Sequence, residues 1–148
     1  MSRPRIVLLA LVVVVLVLAV AAGAVAWSAR PKKVAVGIEV TGPQGMPLKG
    51  KVEVDGATQE LTGTVPTKFG PFEGRRVLWA LTTTAESGEF RAFGSMSGRR
   101  YGGAPAPDPQ KYGVRSWVKS NWGWSEPGYW IESFEKEGNP AWLKAPPP

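Results

Sequence analysis

From Ile6 to Ala26 the chain contains only Ile, Val, Leu, Ala and the single Gly23. No other feature narrows the possible folds as far, because a helix of this length, rising about 1.5 Å per residue, reaches across the roughly 30 Å hydrocarbon core of a bilayer. A lone segment in lipid must satisfy its own backbone hydrogen bonds, which leaves the helix as its only conformation. Trp27 follows at the depth where aromatic rings favour the membrane interface. A chain of 148 residues is too short to surround so uniformly apolar a helix, so a buried core helix is not expected. The sequence therefore predicts a short basic tail over 1–5, a transmembrane helix over 6–27 with membrane lipid as its partner from Ile6 to Trp27, and a basic joint over 28–33.

The segment has two conceivable fates. Ala24-Val25-Ala26 has the small-x-small form cut by signal peptidases, and cleavage before Trp27 would give a secreted domain. The unbroken run from Ile6 to Ala22 is longer than the usual signal-peptide core, and retention as a signal anchor is the expectation. No cysteine follows to carry a lipid. Arg3 and Arg5 precede the segment while Arg30, Lys32 and Lys33 follow it, so the positive-inside rule is nearly balanced. A short basic tail before an export-like segment favours an inner N-terminus and an extracytoplasmic domain.

The formal charge of +6 raises nucleic acid as a partner, and its location argues against it. The first 33 residues hold five basic and no acidic residues, whereas positions 34 to 148 hold 13 basic and 12 acidic ones. Phosphate-backbone binding needs the cations on the folded surface. The chain has neither His nor Cys, which removes triads, imidazole-bound metals and thiolate sites, so no cofactor, metal or catalytic residue is expected. A glycosidase-type pair among Glu126, Glu132, Glu135 and Glu137 is allowed by count alone, with no motif to support it. Phosphate-binding and calcium-binding loops are missing too.

After the joint, the residues read as strands. Val34, Val36, Ile38 and Val40 alternate with smaller or polar residues up to Thr41, the period of a half-buried strand. Leu48 to Val54 and Ala57 to Val65 flank Asp55-Gly56, a pair that tolerates positive φ, so a hairpin is expected. Pro66 and Gly70-Pro71 interrupt the pattern, and a fourth strand starts near Arg75, carrying Val77, Trp79, Leu81 and Thr83. Glu89 to Met96 makes the fifth. Ser97 to Gly113, with Pro105, Pro107 and Pro109 at alternate positions, reads as a surface loop. Val114 to Lys119 and Tyr129 to Glu135 complete the set, and no amphipathic helix intervenes. Short strands separated by turn residues predict a mainly β protein, with one antiparallel β-sandwich over 34–142 and a Pro-rich tail over 143–148.

Five of the seven tryptophans lie in a cluster near the C-terminus: Trp117, Trp122, Trp124, Trp130 and Trp142, together with Tyr129 and Phe134. Such rings either close the core of a domain without disulfides or stand outward to stack on sugars or anchor a protein. The span from Arg75 to Lys119 is the basic part of the domain, and Arg99-Arg100 on a glycine-bounded loop either solvates a face or meets anionic lipid headgroups or an acidic partner. The candidate binding residues are thus Trp117, Trp122, Trp124, Tyr129, Trp130, Arg99 and Arg100.

A basic tail, one membrane helix and a β-domain opening with Val36-Gly37-Ile38-Glu39-Val40-Thr41-Gly42 and reaching Thr64-Val65-Pro66 resembles the mycobacterial small membrane proteins that accompany large lipid transporters. The resemblance covers the first half of the domain. The tryptophan-rich end departs from that pattern, as does the absence of cysteine. It implies an immunoglobulin-like sandwich serving as a non-enzymatic accessory to a membrane transporter, and it transfers no functional residue. The functional expectation is a membrane-anchored, extracytoplasmic interaction module with a possible envelope protein as partner; the alternative is a module binding cell-wall glycan through the tryptophan cluster.

Overall fold

The computed structural model describes residues 3–123 and 125–137, which fall into two compact units, 3–31 with 122–123 and 125, and 32–121 with 126–137. Trp124 and Trp142 lie outside the described residues, as does the Pro-rich tail.

The first unit is built on α1, Arg3–Ser28. The helix begins within the expected basic tail and runs one residue past Trp27. Val7–Ser28 has a mean hydropathy of 3.2 and none of it is buried against protein, so it is long and apolar enough either to span a membrane or to act as a signal sequence. At its end the Ala29 amide donates to Val25 O (3.0 Å) and the Arg30 amide to Trp27 O (3.3 Å). The Arg30 guanidinium lies 4.4 Å from the centroid of the Trp27 ring.

The second unit consists of two antiparallel sheets with their inner faces joined in one core. β1 (Val34–Thr41), β4 (Thr67–Gly74), β6 (Phe90–Met96) and β7 (Arg99–Ala106) form a four-stranded sheet in the order β4-β1-β6-β7. β2 (Pro47–Val54), β3 (Ala57–Thr64), β5 (Arg76–Thr83), β8 (Tyr112–Lys119) and β9 (Gly128–Glu135) form a five-stranded sheet in the order β3-β2-β5-β8-β9. The mainly β, sandwich-like arrangement is the expected one. Alternation drives it: Val36, Ile38 and Val40 point inward from β1 and meet Val52, Trp79, Leu81, Val114 and Val118 from the opposite sheet, all of them at most 1 % exposed. Trp79 is the largest of these fully buried side chains, and its Nε1 has no hydrogen-bond partner among the described residues.

The β2–β3 hairpin turns at Asp55 and Gly56, whose φ angles of 50° and 93° are those of a type I′ turn. Asp55 also clasps the start of β5, its Oδ1 accepting the amides of Arg75 (2.9 Å) and Arg76 (2.8 Å).

Two expectations need correction. The stretch around Gly70-Pro71 is not an interruption but β4, paired with β1 from Val34↔Gly74 to Val40↔Thr67. Ser97 to Gly113 is not a loop throughout, because Arg99–Ala106 forms β7, paired with β6 from Phe90↔Ala106 to Met96↔Arg99. Both are edge strands of the four-stranded sheet. An edge strand needs ladder hydrogen bonds on one side only, so it accommodates Pro71 and Pro105 where a central strand would not.

Candidate functional site

The register of β8 against β9 decides how the C-terminal aromatic residues are shared between the two faces of the five-stranded sheet. Val118↔Tyr129, Ser116↔Ile131 and Val114↔Ser133 are inward pairs; Trp117↔Trp130, Arg115↔Glu132 and Gly113↔Phe134 are the outward pairs between them. Trp117 and Trp130 therefore stand side by side on the outer face, both half-buried. On β5 the outward residues Leu78 and Ala80 pair with Trp117 and Arg115, and they are 2 % and 0 % exposed, with outward Phe134 at 5 %. The outer face thus carries its own apolar patch in addition to the inner core.

Glycines shape this patch. The Trp117 ring lies over Gly128, where an added Cβ would come within 2.9 Å of Trp117 Cζ3, and the Phe134 ring lies over Gly113, where the same atom would meet Phe134 Cε1 at 2.7 Å. At the margin Arg115 Nε donates to Glu132 Oε1 at 2.7 Å, and the Arg115 guanidinium stands 5.7 Å from the Trp130 centroid and 5.5 Å from that of Phe134. Arg115 is thereby held by a charge-assisted hydrogen bond and by two ring faces. Chemically the patch offers two indoles, a buried aliphatic floor and a fixed ion pair, a combination suited to contact with a protein surface or the C–H face of a sugar.

Tyr129 belongs elsewhere. It points between the sheets, packs against Tyr101 with ring centroids 5.0 Å apart, and donates its hydroxyl to Gly102 O at 3.3 Å. Burial raises its pKa above the ordinary phenol value. Trp122 is different again. It is 67 % exposed and belongs to the unit built on α1, where the Gly123 amide donates to Ala29 O at 2.8 Å.

On the four-stranded sheet, Arg100 reaches the outer face and lines a cleft of about 390 Å³. The cleft is floored by Gly37, Gly70 and Ser95, at the point where β-bulges shift the β1–β4 and β6–β7 registers. Glu39 stands between Arg100 (3.6 Å) and Lys68 (4.0 Å), and Arg100 stacks 3.7 Å from the Phe93 centroid. Arg99 is exposed at the start of β7 and does not line the cleft.

No protein-family model matches the chain, and no match to a curated protein is found.

Within the sandwich unit the structure thus brings together Trp117 and Trp130 and sets them apart from Tyr129, Arg99 and Arg100, while Trp122 belongs to the unit built on α1. Sequence reading placed Phe134 in the aromatic cluster without assigning it to a face, and missed Leu78 and Ala80 as patch residues and Arg115 and Glu132 as their margin. A signal for them was present: β5 reads apolar at Val77, Leu78, Trp79, Ala80 and Leu81 without alternation, the mark of a strand covered on both faces. Among the described residues there is no group of three or more carboxylates placed to hold a metal ion.

Proposed function

We propose that this protein is a single-pass membrane protein whose sandwich lies on the extracytoplasmic side and acts, without catalysis, as an accessory that docks another envelope protein through the outer face of its five-stranded sheet. The observation that carries this reading is the outward Trp117–Trp130 pair backed by buried Leu78, Ala80 and Phe134, on a face that the inner core does not need. Half-buried aromatic side chains fixed by neighbours contribute large contact area at little entropic cost, which is how binding hot spots are built. The apolar helix and the basic residues ahead of it support the anchored placement.

Crosslinking the full chain in its native membranes tests the reading. A discrete crosslinked partner is expected with the wild type, and Trp117→Ala combined with Trp130→Ala should abolish it while leaving the far-ultraviolet circular dichroism of the purified protein unchanged. No crosslinked partner, or one that survives the double substitution, would overturn the proposal.

The ion pair beside two adjacent indoles favours a second reading, a glycan lying across the same patch, since sugars stack on indoles and hydrogen-bond to planar charged groups. A shift of tryptophan emission on adding cell-wall glycans, absent in the double variant, distinguishes the two.

A further inference from the structure

Off the helix run Val7 to Val25, only two large apolar side chains are exposed among the described residues: Trp27 at 70 % and Trp122 at 67 %. Trp27 has an evident reason, lying where a spanning helix leaves the hydrocarbon. Trp122 has none within the sandwich core, and it is placed in the same compact unit as the helix. Its short segment is tied to the helix end, because the Gly123 amide, in a left-handed conformation with φ of 86°, donates to Ala29 O. The carbonyls at a helix C-terminus lack intrahelical donors, and here a residue far along the chain supplies one. The segment keeps its shape through Ser125 Oγ, which donates to Trp122 O at 3.3 Å.

We propose that Trp122 is a second membrane-interface anchor, its indole seated at the lipid headgroup level beside Trp27. This rests on the reading of α1 as a membrane-spanning helix. Three features converge on lipid as the ligand. An indole prefers the interface because its rings are apolar while its N–H wants a polar partner. The hydrogen bond to Ala29 holds the segment at the end of the apolar run rather than along it. Arg30, stacked on Trp27, supplies a cation at the same level, where phosphate groups of lipid lie. A sugar or protein partner for Trp122 would have to reach it at that depth, so the lipid assignment is the one consistent with its neighbours.

The test uses the full chain reconstituted in phosphatidylcholine vesicles whose acyl chains carry bromine, a quencher of tryptophan emission, either just below the headgroups or near the bilayer centre. Wild-type emission should be quenched more by the shallow bromines than by the deep ones. Trp27→Phe and Trp122→Phe should each lose part of the shallow quenching. If Trp122→Phe retains all the shallow quenching of the wild type while Trp27→Phe removes it, the proposal for Trp122 is wrong and the membrane helix stands. If the wild type is not quenched by either lipid, the spanning helix and the second anchor fall together. An unchanged far-ultraviolet circular dichroism spectrum and melting temperature for Trp122→Phe show that a loss of quenching comes from the ring and not from unfolding.

Discussion

At the scale of single residues, the neighbours Tyr129 and Trp130 show how much depends on one step along a strand. Successive side chains of a strand face opposite ways, so Tyr129 enters the space between the sheets while Trp130 joins Trp117 outside. Composition revealed that the C-terminal region is rich in rings. It did not reveal the β8–β9 register, and without the register each aromatic residue could be placed on either face. The burial of Tyr129 has a consequence for pH. Its phenol is held neutral above the ordinary value of 10.0, so as pH rises the unfolded chain loses this proton before the folded one does. The contribution is therefore complete below pH about 10 and is lost as pH climbs through the raised folded value. Tyrosinate absorbance should show a late ionisation step that Tyr129→Phe removes, and thermal stability of the wild type should fall over the same interval. A late step that persists in Tyr129→Phe would assign the buried phenol elsewhere.

At the scale of elements, most of the seven anticipated strands have an apolar inner face strong enough to see, β3 is marked instead by the Asp55-Gly56 turn before it, and β1 runs over Val34–Thr41 as expected. β4 and β7 escaped notice because Gly and Pro dilute their pattern, and both are edges, where a broken ladder is tolerated. What replaces side-chain alternation in these regions is ring-on-glycine packing. Phe93 lies over Gly103 across the β6–β7 pair, and Phe134 over Gly113 across β8–β9. Each glycine is the vacant half of a cross-strand pair that its aromatic neighbour fills. At Gly113 an added Cβ would lie 2.7 Å from the ring and 2.8 Å from the backbone oxygen of Leu81, and backbone cannot step aside cheaply. Gly113→Ala is expected to destabilise the fold by about 1–3 kcal/mol in chemical denaturation. Gly102→Ala, on β7 with no atom within 4 Å, should be neutral or stabilise by up to about 1 kcal/mol. Equal effects at the two positions would refute this account of the glycines.

At the scale of the whole molecule, the apolar run was the most legible feature, because the thickness of a bilayer and the rise of a helix are fixed lengths. The outer patch was the least legible, since it assembles from β5, β8 and β9 only when the sheet order is known. The proposed placement of the sandwich outside the membrane is open to direct measurement, because the chain has no cysteine. Gly102→Cys introduces the only thiol at an exposed, sterically open position. It should react with a membrane-impermeant maleimide in intact cells. Reaction only after lysis would place the domain on the inner side. The two edges of the four-stranded sheet acquire a meaning from such anchoring. Tethered copies share a plane, where neighbours collide far more often than in free solution, and collisions between naked strand edges seed fibrils. On β7 the carbonyls of Gly102 and Pro105 are already occupied by the hydroxyls of Tyr129 and Ser133, and on β4 Pro71 has no N–H to offer an incoming chain. On these two edges an incoming strand finds fewer open hydrogen-bonding groups.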